Sequence, residues 1–375
     1  MPLVLHVDDD RWLAHLQRTA ERLPGLVPVA KGNGYGFGLT RLARRAQALG
    51  VDTVAVGLHE ELPAVAEAFD GSLLVLAPHR PHQPRPADLG VDPDRVVSTV
   101  GRTADLRDLV ARSDTAPRVV LERLTSMTRH GADAEMPALV DLAAELGCRV
   151  EGVALHLPLP TGGAWPRPGR LRRVASAARG SGHVEEVRRL LAEPALAGLA
   201  ASGDAAAQVW VSHLEAGELA QLAGELPDRR LRPRTGTSLW LGDPGALRVT
   251  ATVLDAHPVA RGDAVGYRQR PSRRAGTVLV VAGGTSHGVG MAAPTGAGSL
   301  RARAATVARG LLDAAGRVRS PYAVGGGRAS FVEPPHMQVS MVFVPAGAAV
   351  PAVGDEVAVR VRNTTTDVDR VDSAL

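Results

Sequence analysis

Lysine is almost absent from this chain of 375 residues: position 31 holds the only one, and the other 42 positively charged side chains are arginine. A sequence that uses arginine wherever a cation serves keeps lysine where a primary amine is needed. A guanidinium stays protonated, whereas a desolvated ammonium can lose its proton and attack a carbonyl. Cysteine is nearly absent too. Cys148 stands alone, which excludes an intrachain disulfide, and without Cys/His spacing no metal site is expected; it reads as a small buried apolar residue. Aromatics are 3% of the chain, so stacking surfaces for nucleic-acid bases are scarce despite a pI near 9.9, and the net charge is only +4. No apolar run approaches the ~18 residues of a membrane span, and Met1–Val7 leads into Asp8-Asp9-Asp10 without a basic start, so no signal peptide is expected. With 45% hydrophobic and 22% charged residues, the composition is that of a cytoplasmic globular enzyme.

What is present has a rhythm. Apolar β-rich runs at Leu26–Ala30, Thr53–Gly57, Leu73–Ala77, Val96–Val100, Arg118–Leu124, Gly152–Leu157, Gln208–Ser212 and Leu231–Thr235 alternate with amphipathic stretches. Examples are Leu39–Leu49, closed by Gly50, then Glu60–Phe69, Asp105–Ala111, Pro137–Leu146, Val184–Leu191 and Glu215–Leu222. Eight strands so separated predict an α/β fold of the (β/α)8 TIM-barrel type over residues 1–245. After Asp243 the pattern changes to short strands between Gly-, Pro- and Asp-rich turns: Arg248–His257, Ala264–Tyr267, Thr277–Val281, Met337–Val344 and Val357–Val361. A C-terminal β-rich domain over 246–375 is expected, with a helix at Leu300–Ala315 and the first few residues of the chain assignable to either domain. Pro158–Gly169 is the most irregular segment, and Arg170/Arg172/Arg173 form a basic cluster expected to be solvated.

In a (β/α)8 barrel the reactive face lies at the C-terminal ends of the strands. Lys31, Arg129, His156, Ser212 and Arg234 all fall at or just past such ends, which predicts a pocket with one amine and two fixed cations. Lys31 also opens the turn Gly32-Asn33-Gly34-Tyr35-Gly36-Phe37-Gly38 after an apolar strand.

These motifs, in this order, resemble the alanine racemase family of fold type III enzymes that use pyridoxal 5′-phosphate. Val29–Gly38 resembles its cofactor-lysine motif and Ser126-Met127-Thr128-Arg129-His130-Gly131 its Gly-Met-x-Arg-x-Gly motif. Val150–His156 resembles its strand ending in a histidine, Arg234-Thr235-Gly236-Thr237 its last-strand arginine and phosphate loop, and Val265-Gly266-Tyr267 its catalytic-tyrosine segment. The resemblance implies that Lys31 carries the cofactor and is the base on one face of the substrate Cα. Tyr267, from the other subunit of a homodimer with shared sites, would be the base on the opposite face. A phenol is a poor base at neutral pH without a positive field, which His156 and the arginines are expected to supply. Arg234 would face the pyridine nitrogen and keep it unprotonated, favouring proton exchange over decarboxylation or transamination. Tyr35, Ser212, Gly236 and Thr237 would hold the phosphate, with Ser202 a competing choice for Ser212, and His156 belongs to the same cofactor-binding set. Arg129 and Met337 would meet the substrate. Glu122 falls where the family often has a carbamate-bearing lysine and would orient Arg129 as a built-in carboxylate.

The sequence also departs from the family. The second-domain tyrosine loop becomes Gly284-Thr285-Ser286-His287-Gly288, the Met-Asp pair becomes Met337-Gln338, and the late phosphate-reaching tyrosine has no match in Asn363–Asp367. Losing two gatekeeping tyrosines should enlarge or reshape the mouth of the site, and Pro158–Gly169 would at most add a wall. The expected function is therefore a PLP-dependent racemase of alanine or a related small amino acid, supplying D-alanine for peptidoglycan, with no nucleic-acid or membrane partner. The alternatives are a decarboxylase or lyase of the same fold, which Arg234 opposes, and a non-catalytic PLP-binding or regulatory protein.

Overall fold

The computed structural model describes residues 2–159, 181–200, 203, 205, 207–291, 300–314 and 318–374. Most of Pro158–Gly169, the Arg170/Arg172/Arg173 cluster and Ser202 lie outside the described residues. The chain forms two compact units, one of Ala14–Gly34 and Gly38–Gly242, the other of Met1–Leu13, Tyr35–Phe37 and Asp243–Leu375.

Strand β1 (Leu3–Val7) belongs to the second unit. The first is built on β2 (Val27–Pro28), β3 (Thr53–Val56), β4 (Ser72–Val75), β5 (Val96–Val100), β6 (Arg118–Arg123), β7 (Arg149–Leu155), β8 (Gln208–Ser212) and β9 (Arg230–Thr235). All pair in parallel in the order β2-β9-β8-β7-β6-β5-β4-β3. A parallel bridge between Val29 and Ala55, with the Ala30 N–H donating to Ala55 O at 2.8 Å, closes the ring. This is the (β/α)8 barrel that the eight apolar runs predict.

Most of the strands are apolar on both faces because both are covered, whereas β9 buries Arg232 and Arg234. Val27, Val29, Ala55, Leu74, Val97, Val120, Ala154 and Trp210 pack together as one cluster. The alternate residues, among them Leu121, Val153, Leu155, Val209 and Val211, pack with the helices Met136–Glu145, Ser181–Leu191 and Ala216–Glu225. Fully burying one such side chain is worth about 1.5–3 kcal/mol. The strand alternation is reset by a bulge in β7, where the pairing jumps from Val119↔Val150 to Leu121↔Val153. Gly152 makes this bulge possible: its φ is +108°, and a Cβ there would come within 2.0 Å of the Gln208 carbonyl oxygen. Near the N-terminal ends of the strands, Arg232 is 2% exposed, lies 4.9 Å over the Trp210 ring and pairs bidentately with Asp52. Between β4 and β5 there is no α-helix, only single 3₁₀ turns at Ala87–Leu89 and Pro93–Arg95. Pro78, Pro81, Pro84 and Pro86 deny that connection the N–H groups a helix needs.

His59 follows β3 and carries a testable consequence. It is 2% exposed, its Nδ1 has no partner among the described residues, and its ring lies 6.4 Å from that of His79. Burial, and then the charge of His79, push its pKa down to about 4. An unfolded imidazole titrates near 6.5, so between those values the unfolded chain binds more protons and stability falls as pH falls. The full loss from this residue is on the order of 3 kcal/mol. His59→Leu should therefore flatten the fall in Tm between pH 6.5 and 4, measured by circular dichroism; an unchanged slope would contradict the assignment.

The second unit is antiparallel. Its strands are β10 (Leu247–Val259), β11 (Ala264–Val265), β12 (Arg270–Pro271), β13 (Gly276–Ala282), β14 (Arg319–Val324), β15 (Gly327–Phe331), β16 (Val339–Pro345), β17 (Glu356–Val359) and β18 (Arg370–Asp372). The order β13-β16-β15-β14-β17-β10 closes on itself because β10 also pairs with β13. A register shift between Val253 and Asp255 lets one 13-residue strand serve both neighbours. Beyond β10 the sheet adds β1 and then β18. Tyr322 sits fully buried in this unit, donating its hydroxyl to the Ala282 and Gly283 carbonyls at 2.9 and 2.7 Å, and burial pushes its pKa up to about 12. The helix expected at Leu300–Ala315 runs Leu300–Ala314. Strand β16 starts at Val339 rather than Met337. The backbone before it is taken by the 284–288 loop: the Thr285 N–H donates to His336 O and the Ser286 N–H to Met337 O.

Candidate active site

Strand alternation explains how the barrel gathers its polar groups. Val29, Val120, Ala154 and Trp210 lie in the inner cluster. Two residues further along each strand direction come Lys31, Glu122, His156 and Ser212, and two beyond Arg232 comes Arg234. A side-chain period of two puts each on the same face as its inner neighbour, nearer the C-terminal end. The sequence-predicted set therefore converges because the cluster below it points inward.

Lys31 is reached by solvent, yet its pKa is lowered, first by desolvation and then by the charges of Arg129 and Arg234, with Glu61 opposing. Glu61 is a residue that sequence reasoning missed. Its carboxylate accepts from the Gly32 N–H and the Gly57 N–H, both at 2.6 Å, tying the turn after β2 to that after β3. Gly57 leaves room for this clamp, since a Cβ there would lie 3.1 Å from the Lys31 Cβ. The Lys31-to-Gly38 turn closes on itself through Gly34 N–H to Lys31 O at 3.1 Å and Gly38 N–H to Asn33 O at 3.3 Å.

Arg234 is 7% exposed, not a surface charge in an arginine-rich run. One terminal nitrogen donates to Leu155 O at 3.0 Å, while its Nε is buried without a partner among the described residues. Burial lowers its pKa to about 10, against the opposing pull of Glu122, so it stays charged at neutral pH. Glu122 is 2% exposed, and its Oε2 also lacks a partner among the described residues. Desolvation raises its pKa, and the charges of Arg234 and Arg129 restrain the rise.

His156 joins Ser212 through Nδ1 and Oγ at 2.8 Å, and its ring lies 5.1 Å from that of His213. Burial, then Arg234 and Arg129, push its pKa down to about 3. The expectation that His156 lends a positive field is thereby corrected: the imidazole is neutral at physiological pH, and the arginines carry the charge.

Arg129 is exposed on the loop that follows β6. That loop returns to its own strand, with Leu124 N–H to Ala132 O and Ala132 N–H to Glu122 O, both at 2.8 Å. Arg123 anchors it through Asp133 at 2.8 Å and Glu193 at 2.9 Å. Gly236 and Thr237 start a single helical turn, Thr237–Trp240, directly after β9; the first N–H groups of such a turn lack helical acceptors. Trp240 fixes this turn by donating to Val29 O at 2.8 Å.

Tyr35, Tyr267 and Met337 belong to the β-rich unit. Tyr35 is buried, with φ 56°, inside the turn Gly34–Gly36. Tyr267 sits in the turn of the β11–β12 hairpin and is 84% exposed, unlike the buried Tyr35 and Tyr322. Met337 is also exposed, and its carbonyl oxygen accepts from the Ser286 N–H at 2.9 Å and the Ser286 hydroxyl at 2.6 Å. Among the described residues no cluster of His, Cys, Asp and Glu could hold a metal ion, and no helix is long and apolar enough to cross a membrane.

A family model, "Alanine racemase, N-terminal domain", matches residues 7–215, more than half of the chain. The chain belongs to the alanine racemase family. It is 34% identical over 139 residues to a protein named alanine racemase from Mycolicibacterium vanbaalenii, an alignment covering 35% of this chain and 35% of that one. The match thus spans about a third of the length of that curated relative. In fold the likeness is wider. The alanine racemase of Bartonella henselae, solved with covalently bound pyridoxal phosphate, matches 97% of this chain and 91% of its own with a TM-score of 0.65 at 18% identity. A histidine racemase from Leuconostoc mesenteroides matches 95% and 87% with a TM-score of 0.62 at 16% identity.

Within an alanine racemase family barrel, Glu61 was hard to find because its role joins the nearby Gly57 amide to that of Gly32, 29 residues away. The available signal was position: an acidic residue one turn past the end of β3, next to the strand that carries Lys31.

Proposed function

We propose that this protein is a PLP-dependent amino-acid racemase, with alanine or a related small amino acid as substrate. The observation that carries the reading is the sole lysine at a barrel-strand end, its amine lowered in basicity near a buried arginine whose Nε has no partner among the described residues. The residues fit the cofactor. Lys31 would bind it covalently, Arg234 Nε would donate to the pyridine nitrogen, and Ser212, Gly236, Thr237 and Tyr35 are the candidates for the phosphate. When bound, the pyridine ring withdraws electrons from the substrate Cα and acidifies its proton.

The chain's own residues then divide the work. Arg129 would take the substrate carboxylate as a planar, permanently charged donor, with Met337 beside the substrate. Lys31 Nζ would hold or return the proton on one face of Cα, and the phenolic oxygen of Tyr267 from a second copy would do so on the other. Arg234, a fixed cation that can donate but not accept, would limit charge delocalisation into the bound ring and so favour proton return over loss of carbon dioxide. That is why racemisation is preferred here to decarboxylation. The homodimer, a cytoplasmic location and a D-alanine supply role belong to the same proposal. Its test follows α-proton exchange of L- and D-amino acids in D2O with the PLP-loaded protein. Exchange with inversion for one substrate supports the reading and names the amino acid; no exchange across the panel, with the pyridoxal absorbance present, favours a non-catalytic PLP protein.

Glu122 is assigned to hold Arg129 through its charge. Glu122→Gln, nearly the same shape without the charge, should lower kcat/KM about 10-fold by loosening Arg129. Unchanged kinetics would defeat this role.

A further inference from the structure

Tyr267 stands on a short hairpin turn with its ring 84% exposed, an unpromising support for a group that must meet a carbon atom within a fraction of an ångström. Its surroundings supply what the hairpin lacks. The His336 ring lies against the Tyr267 ring at 4.6 Å between centroids, tilted by 36°. His336 Nε2 is 2.8 Å from Glu333 Oε1, and Glu333 is 8% exposed. The same carboxylate accepts the Tyr267 backbone N–H, at 3.2 Å to Oε1 and 3.0 Å to Oε2. Gly266, with φ +75°, lets the carboxylate come this close, since a Cβ there would fall 2.6 Å from Glu333. From the far side, the Thr285 N–H donates to the His336 carbonyl at 2.8 Å. One buried carboxylate therefore fixes both the backbone of the tyrosine and the ring packed against its side chain.

We propose that His336, held by Glu333, is a positioning residue that fixes the phenol of Tyr267 for proton transfer. The inference rests on the reading of Tyr267 as the second base. A free tyrosine side chain samples several rotamers, and a flat ring locked beside it removes that freedom before substrate arrives. The device needs a planar partner and not a proton from the imidazole, which makes it separable from chemistry. His336→Ala should lower kcat about 10-fold with KM within about twofold of wild type, and His336→Phe, which keeps a flat ring but loses the bond to Glu333, should recover only part of that loss.

A second measurement is independent of turnover. With three tyrosines in the chain, ring-labelled tyrosine gives a short NMR spectrum in which Tyr267→Phe identifies the Tyr267 signal. That signal should move in His336→Ala and move less in His336→Phe. Wild-type kcat in His336→Ala, or a Tyr267 signal unmoved there, overturns the positioning role. Tyr267→Phe racemising at the wild-type rate overturns the base reading and the proposal with it, a failure recognisable because the His336-dependent NMR shift would persist.

Discussion

Lys31→Ala is expected to lower racemisation at least about 1,000-fold and to abolish the visible absorbance that the protein gains with PLP. The argument begins with composition: a chain with 42 arginines has no other lysine to substitute for this one. Lys31→Arg should fail equally, because a guanidinium does not lose its proton at working pH. The loss in Lys31→Ala should not come from unfolding. The Lys31 ammonium is opposed by desolvation and by two nearby arginines, so removing it relieves a cost, and Tm should hold or rise. A small primary amine such as methylamine should restore part of the activity to the alanine variant but not to the arginine one, whose side chain fills the space. Retention of a tenth of wild-type activity by Lys31→Ala would end the assignment.

The barrel was legible because its signal is redundant. The faces of β3 through β8 are largely covered, so those strands read as short apolar runs, and the connections other than β4–β5 read at helical spacing. The β-rich unit was only half legible. Its strands β14 and β15 mix Arg, Ser, Pro and Gly with a few inward residues such as Tyr322, and β1 earns its place only by pairing with β10, more than 240 residues away. No local pattern carries pairing at that range. At the site, Lys31, His156, Ser212 and Arg234 were visible as polar residues ending apolar strands. The charge state of His156 was not, since it depends first on burial in the folded barrel and then on Arg234 from β9 and Arg129 from the loop after β6. Glu61, Glu333 and His336 were missed for a related reason: each acts on backbone or rings brought together only by the fold.

Tyr267→Phe should separate the two faces of the substrate. Removing one general base costs about 10²–10⁴-fold, so interconversion of enantiomers should fall by roughly 1,000-fold. The Lys31 face is untouched, and one enantiomer should still exchange its α-proton in D2O with retention of configuration while the other does not. Equal loss of exchange for both enantiomers would mean that Tyr267 supports the site rather than serving one face. The proposed sharing of sites across a homodimer can be tested with the same proteins. If each site joins Lys31 of one copy to Tyr267 of another, a mixed dimer of Lys31→Ala and Tyr267→Phe has one site with both defects and one with neither. Random reassembly of two inactive variants should then restore about a quarter of the wild-type rate, half of the dimers being mixed and each having one intact site. Were Lys31 and Tyr267 of one copy to share a site, every site in the mixture would carry a defect and no activity would return.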